Sequence, residues 1–206
     1  QAVDRYLDWH TGILLETDGK MGIYRKESGK LIYREKADSE DGYLGMYLFL
    51  MGKYLEKTES TDLPESWKNG ISLALKKIQS LMQDGITQVS EENTTAYLMD
   101  NLEVWKGLYE WELAGLEDTQ AISEIRKKIQ KQIEKIFWDD ANQRWRIIGN
   151  SDRYHQTEFY PDGVAQIYPL IYEFPVKEKK KQKILYDQFT DCLLYTSPSP
   201  RDVEES

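Results

Sequence analysis

Cysteine is almost absent from this chain, and the absence removes several kinds of chemistry. The single Cys192 stands among the last fifteen of 206 residues. Residues 1–191 therefore carry no disulfide, no thiol nucleophile and no thiolate metal site. Histidine is nearly as scarce: His10 and His155 lie far apart, with no ligand-type spacing, so no metal site is expected. No run of 18 apolar residues occurs, which excludes a membrane-spanning helix in this stretch. The formal charge is −9, whereas a nucleic-acid surface would leave a basic footprint. Neither nucleic acid nor a cofactor is expected as a partner. Compartment stays open, because a cytosolic protein and a bacterial secreted or cell-surface one can both lack cysteine.

The two ends call for separate treatment. Cys192-Leu-Leu-Tyr-Thr-Ser-Pro-Ser-Pro-Arg-Asp202 resembles the translation of a transposon-type sequencing adapter, with a genuine Pro-rich tail as the alternative. Residues 192–206 are expected to be an unstructured artefact and no part of the folded domain. Without Arg201, Asp202, Glu204 and Glu205 the formal charge moves from −9 to −7. Gln1 opens the chain with no methionine, so residues 1–191 are expected to be an internal fragment, one domain or part of one.

What is present is helical periodicity of two kinds. Ile122, Ile125, Ile129, Ile133 and Ile136 repeat at three and four between charged residues, a single apolar stripe. Ile71, Leu75, Ile78 and Met82 form a similar stripe, with Pro64 near its start and Asp84-Gly85 as its stop. The stretches 43–51, 102–113 and 164–174 are apolar nearly all round, which predicts helices buried on all sides. Alternation of the two kinds predicts an all-α, two-layer array in which outer helices enclose inner ones. Short β-pairs are expected in its loops: 21–25 with 30–33 about Glu27-Ser-Gly29, and another about residues 138–145. The basic run 177–183 reads as the solvated start of a further outer helix.

Three aspartates punctuate this pattern. Asp41, Asp100 and Asp162 each open an all-apolar run, at intervals of 59 and 62 residues, a period typical of stacked helical arrays. Aspartate suits a helix start because its oxygens accept from orphan N–H groups and its charge opposes the dipole. Equivalent helices would bring the three carboxylates to one rim. Capping alone is the plainer role for each.

With its fold pattern laid out, the chain resembles the six-hairpin glycosidase superfamily, an α/α toroid, over most of Tyr6 to Pro175. Asp38-Ser-Glu-Asp-Gly-Tyr before an apolar helix resembles the same stretch of family 8-type glycosidases. Phe137-Trp-Asp-Asp, Trp145 and Tyr160-Pro-Asp-Gly-Val-Ala-Gln resemble bacterial relatives of that superfamily. Six hairpins of about 60 residues would make roughly 360, so three hairpins imply a partial (α/α)6 toroid.

The resemblance implies hydrolysis of a glycosidic bond by two carboxyl groups, one protonating the leaving oxygen, the other activating water or attacking. The acid then needs a raised pKa, from burial or from a neighbouring negative charge. Asp41 and Asp100 are the candidate catalytic pair. Asp38, Asn101, Glu103 and Asp162 are candidate substrate contacts, joined by Tyr43, Trp105, Trp145, Tyr154 and Tyr160 as sugar-stacking faces and by Arg153 and His155 as hydrogen-bonding groups. Tyr43 and Trp105 sit within apolar helices, where a core role competes, and His10 reads as a packed or exposed histidine. The expected partner is an oligo- or polysaccharide. A non-catalytic saccharide-binding protein on the same scaffold is the alternative, and an apolar cyclase or lipid-handling toroid a more distant one, disfavoured by the polar loops.

Overall fold

A computed structural model describes residues 2–60, 62–116, 119–149, 151, 159–176, 183 and 186–187. The elements are α1 (Ala2–Glu16), β1 (Gly22–Glu27), β2 (Lys30–Lys36), α2 (Glu40–Thr58), α3 (Glu65–Ser80), β3 (Met82–Gln83), β4 (Ile86–Thr87), α4 (Leu98–Ala114), α5 (Thr119–Phe137), β5 (Trp138–Asp139), β6 (Arg144–Trp145) and α6 (Val164–Ile171). An irregular helical turn, Phe159–Gly163, with Tyr160 extended, leads into α6. Among the described residues no helix is long and apolar enough to cross a membrane.

The two kinds of helix take the two layers. In α5, Ile122, Ile129, Ile133 and Phe137 are buried and the lysines between them face outward, while Arg126 turns to α4 and donates to Glu112 at 2.6 Å. In α3 the buried stripe is Trp67, Gly70, Ile71, Ala74 and Ile78. Helices α2 and α4 are buried around most of their circumference and lie against each other, with α3 on the outside of α2 and α5 on the outside of α4. Helix α1 packs on α3, where the Trp67 indole donates to Asp8 at 2.8 Å.

Glycine sets the spacing of the inner pair. A Cβ on Gly107 would lie 2.0 Å from the Gly45 carbonyl oxygen, and one on Gly45 2.6 Å from Val104 Cα. Backbone therefore meets backbone, and a methyl group on either glycine would push α2 and α4 apart. The inner helices, apolar nearly all round in sequence, also bury charge. Lys106 and Glu110, both buried on α4, pair at 3.0 Å, and Lys53 of α2 reaches Glu110 at 2.9 Å. Pairing is what makes burial of these charges tolerable.

Details of helix starts and stops differ from the sequence reading. Asp41 does not cap α2: Ser39 does, its Oγ accepting from the Gly42 N–H at 3.1 Å, while Glu40 and Asp41 occupy the first turn. The N-cap of α4 is Tyr97 and that of α6 is Gly163, neither with a side-chain cap. Asp84-Gly85 is not the stop of α3, which ends at Ser80. Both residues have positive φ (54° and 86°) and form the tight turn of the β3–β4 hairpin, a job to which glycine is suited. Ser28-Gly29 plays the same part between β1 and β2. Helix α6 stops at Ile171, short of the expected 174, and Glu173 follows with φ 54°. The run 177–183, apart from residue 183, and the whole of 192–206 lie outside the described residues.

Loops preceding successive inner helices are stitched side by side. The Glu40 N–H donates to Val89 O at 2.9 Å, and Val89 N–H to Thr95 O at 2.9 Å. Further along, Leu98 N–H donates to Ile147 O at 2.8 Å and Gly149 N–H to Ala96 O at 2.9 Å. Gln166 of α6 closes the series by bonding both the N–H and the carbonyl of Trp145, at 2.8 and 2.9 Å. This ladder places the N-terminal ends of α2, α4 and α6 at one rim.

Candidate active site

A cleft of about 340 Å³ opens at that rim. Asp38, Ser39, Gly42, Asp100 and Glu103 form its polar wall, and Tyr6, Tyr43, Tyr47, Tyr160 and Tyr168 supply rings. Among the described lining residues there is no lysine or arginine. The absence of a side chain at Gly42 is what creates the space. A Cβ there would lie 2.6 Å from Glu103 Oε2, 2.7 Å from Ser39 Oγ and 3.6 Å from Asp100 Oδ1. Two carboxyls, one turn apart on α4, thus converge on the bare start of α2.

Asp41 lies behind this wall. It is fully buried, its Oδ1 accepting from Ser39 Oγ at 2.9 Å and its Oδ2 from Thr87 Oγ1 at 2.7 Å. Asn101, also fully buried, clamps the same hairpin: its Oδ1 accepts from the Thr87 N–H at 2.8 Å, and its Nδ2 donates to Thr87 O at 3.0 Å and Tyr97 O at 2.9 Å. Neither residue lines the cleft, so Asp41 as a group touching substrate and Asn101 as a substrate contact do not match their positions.

Charge crowding follows from the geometry. Burial raises the Asp100 carboxyl well above the usual range, and the negative charges of Asp41 and Glu103 raise it further, against the opposing Ser39 hydroxyl. Glu103 is pushed up to about 7, first by burial and then by Asp41, while the Tyr168 and Tyr172 hydroxyls favour its charged form. Burial likewise raises Asp41, against the bonds from Thr87 and Ser39. Burial alone holds His10, beside the cleft floor, down at about 4, so it is neutral near pH 7.

The remaining candidates divide clearly. Asp38, Asp100, Glu103, Tyr43 and Tyr160 meet in the cleft. Trp105 stacks on Tyr109 at 5.6 Å and meets Phe174 edge-on at 5.0 Å; Trp145 packs against Trp138 at 5.0 Å; both belong to the core, as their near-complete burial requires. Asp162 stands two residues before α6, buried, and does not line the cleft; neither carboxylate oxygen has a hydrogen-bond partner among the described residues. Arg153, Tyr154 and His155 lie outside the described residues. Sequence reasoning missed Tyr6, Ser39, Tyr47 and Tyr168. Ser39 could have been found as the residue whose hydroxyl best suits an N-cap.

No family model matches the chain, and no curated protein matches it. Solved structures do share its fold. A GH78 family rhamnosidase of Bacillus sp. GL1 superposes with a TM-score of 0.61 at 13% identity, over 95% of this chain and 20% of that one. A rhamnosidase from Klebsiella oxytoca with rhamnose bound gives 0.55 at 11% identity, over 89% and 35%. D-mannose isomerase gives 0.50 at 12% identity, over 88% and 49%. These neighbours have toroid-type, glycosidase-related folds. The chain spans between a fifth and a half of their lengths.

Proposed function

We propose that this chain is part of an (α/α)6 toroid that binds a saccharide in the Gly42 cleft and hydrolyses a glycosidic bond there. The carrying observation is the convergence of Asp100 and Glu103 on Gly42, within a cleft walled by tyrosines. Sugar rings present apolar faces to aromatic rings and hydroxyls to carboxylates, so this wall suits a neutral sugar. The rhamnosidase and isomerase likenesses support the scaffold and leave the chemistry to the site.

In this reading Asp100 is the general acid. Burial and two neighbouring negative charges keep it protonated near neutral pH, and its proton passes to the leaving glycosidic oxygen as the C–O bond breaks. Asp38, on the exposed lip of the cleft, is assigned the base that takes a proton from the attacking water. Glu103, held by Tyr168 and Tyr172, orients the sugar and maintains the charge that keeps Asp100 protonated. Asp41 acts from behind as a positioning residue, through Ser39.

The test is Asp100→Asn in a protein containing the whole toroid, assayed on oligosaccharides by release of reducing ends. Asn retains shape and hydrogen bonding, so binding should persist while turnover falls about 100- to 10,000-fold, the usual contribution of an acid–base group. Turnover within threefold of the parent would remove Asp100 from catalysis. Binding with no turnover even in the parent would instead establish a non-catalytic saccharide-binding protein.

A further inference from the structure

A row of aromatic rings runs from the cleft to the outside of the molecule. Tyr6 lines the cleft and is 46% exposed. Trp9, one turn on in α1, lies 5.6 Å from it, centroid to centroid. Tyr24 of β1 follows at 5.9 Å, and Tyr33 of β2 at a further 5.7 Å. Tyr33 is 53% exposed. A Cβ on Gly22 would lie 2.4 Å from Tyr33 Cε2 and 2.9 Å from Cδ2, so the ring rests on bare backbone. Glycine closes one side of the ring, Tyr24 meets it edge-on, and about half of its surface stays open to solvent.

Packing needs alone do not account for this arrangement. Gly22 and Tyr24 of β1 are half-buried and Tyr24 meets Trp9 edge-on, but every residue of β2 is exposed, and a two-stranded hairpin gains little from a ring on its exposed strand. Successive ring planes are turned by 51°, 88° and 73°, so the row does not present one plane to a flat polymer face. It suits a single, twisting chain that offers one apolar sugar face after another.

We propose that Tyr6, Trp9, Tyr24 and Tyr33 form a binding platform continuous with the cleft, which carries successive sugar units of a saccharide chain whose end lies at Asp100 and Glu103. The occupant is thus the outer part of an oligosaccharide. This rests on the saccharide reading of the cleft.

The test measures affinity of the 206-residue chain for soluble β-glucan, β-xylan, β-mannan and rhamnose oligomers graded from one to eight units. For at least one series, affinity should rise with length beyond the units the cleft holds. Tyr33→Ala, at an exposed site, should remove about tenfold of that gain, the equivalent of one aromatic contact, and leave the shortest ligands unaffected. Tyr33→Phe should retain the gain, since the ring face and not the hydroxyl is required. An unchanged length dependence in Tyr33→Ala would overturn the platform while leaving the cleft reading intact. Absence of binding to every series would overturn the cleft reading and the platform with it. Self-association abolished by Tyr33→Ala, with length dependence untouched, would show the hairpin to be a contact between copies and equally overturn the proposal.

Discussion

Replacing Glu103 by glutamine isolates the electrostatic core of the cleft. Glu103 titrates at about 7 in the folded chain against an ordinary value of 4.5, chiefly because it is buried beside Asp41. The folded state therefore holds this proton more tightly than the unfolded state. Below the unfolded value the stabilising contribution is fully present, and it is lost as pH rises from about 4.5 through about 7. A shift of this size corresponds to about 3 kcal/mol. Partial exposure to the cleft screens it, so roughly 1–2 kcal/mol is the expected effect. Glutamine keeps the size and an acceptor for Tyr168 and Tyr172 but cannot ionise. Urea unfolding followed by tryptophan fluorescence at pH 5 and pH 8 measures the difference. The parent should lose more stability than Glu103→Gln between these pH values, by that amount. Parallel losses in the two proteins would mean a solvated carboxyl, and the crowded cleft described above would be refuted.

Two further substitutions test the frame around the site. Gly107→Ala should destabilise by about 2–3 kcal/mol, because the roughly 1 kcal/mol gained in helix propensity is outweighed by separating α2 from α4; a neutral thermal melt would contradict the backbone contact. Asn101→Leu should cost about 2–4 kcal/mol by leaving the buried backbone of Thr87 unpaired; hydrogen exchange at the Thr87 amide should accelerate strongly, and unchanged protection would show that the clamp is unimportant.

The layers of the fold were legible because they are written in periodicity. The isoleucine stripe of α5 could bury only one face, and the all-apolar runs could not face water. Both hairpin turns flanking glycine were visible in sequence, yet Asp84-Gly85 was mistaken for a helix stop, since left-handed residues serve both ends. The site was half legible. Even spacing put Asp100 at the start of an inner helix, where the structure has it lining the cleft, but spacing carries no information about side-chain direction. Asp41 turns inward to the capping Ser39 and to Thr87, which the hairpin β3–β4 presents from elsewhere in the chain, a tertiary fact. Trp105 and Trp145 face the core for the same reason that any large ring between layers does. Gly42 passed unnoticed: its importance lies in what it omits, and only the approach of Glu103 from another helix reveals it.

On the proposed function, a saccharide occupies the cleft at Gly42, between Asp100 and Glu103. Backbone amide resonances of the isotopically labelled chain, recorded as the same graded oligosaccharides are added, would report that occupancy residue by residue. Saturable shifts should centre on Gly42, Tyr43, Asp100 and Glu103, with the far ends of α2 and α4, near Lys53 and Glu110, unmoved. Shifts centred on that opposite end, or no shifts with any oligosaccharide, would contradict it.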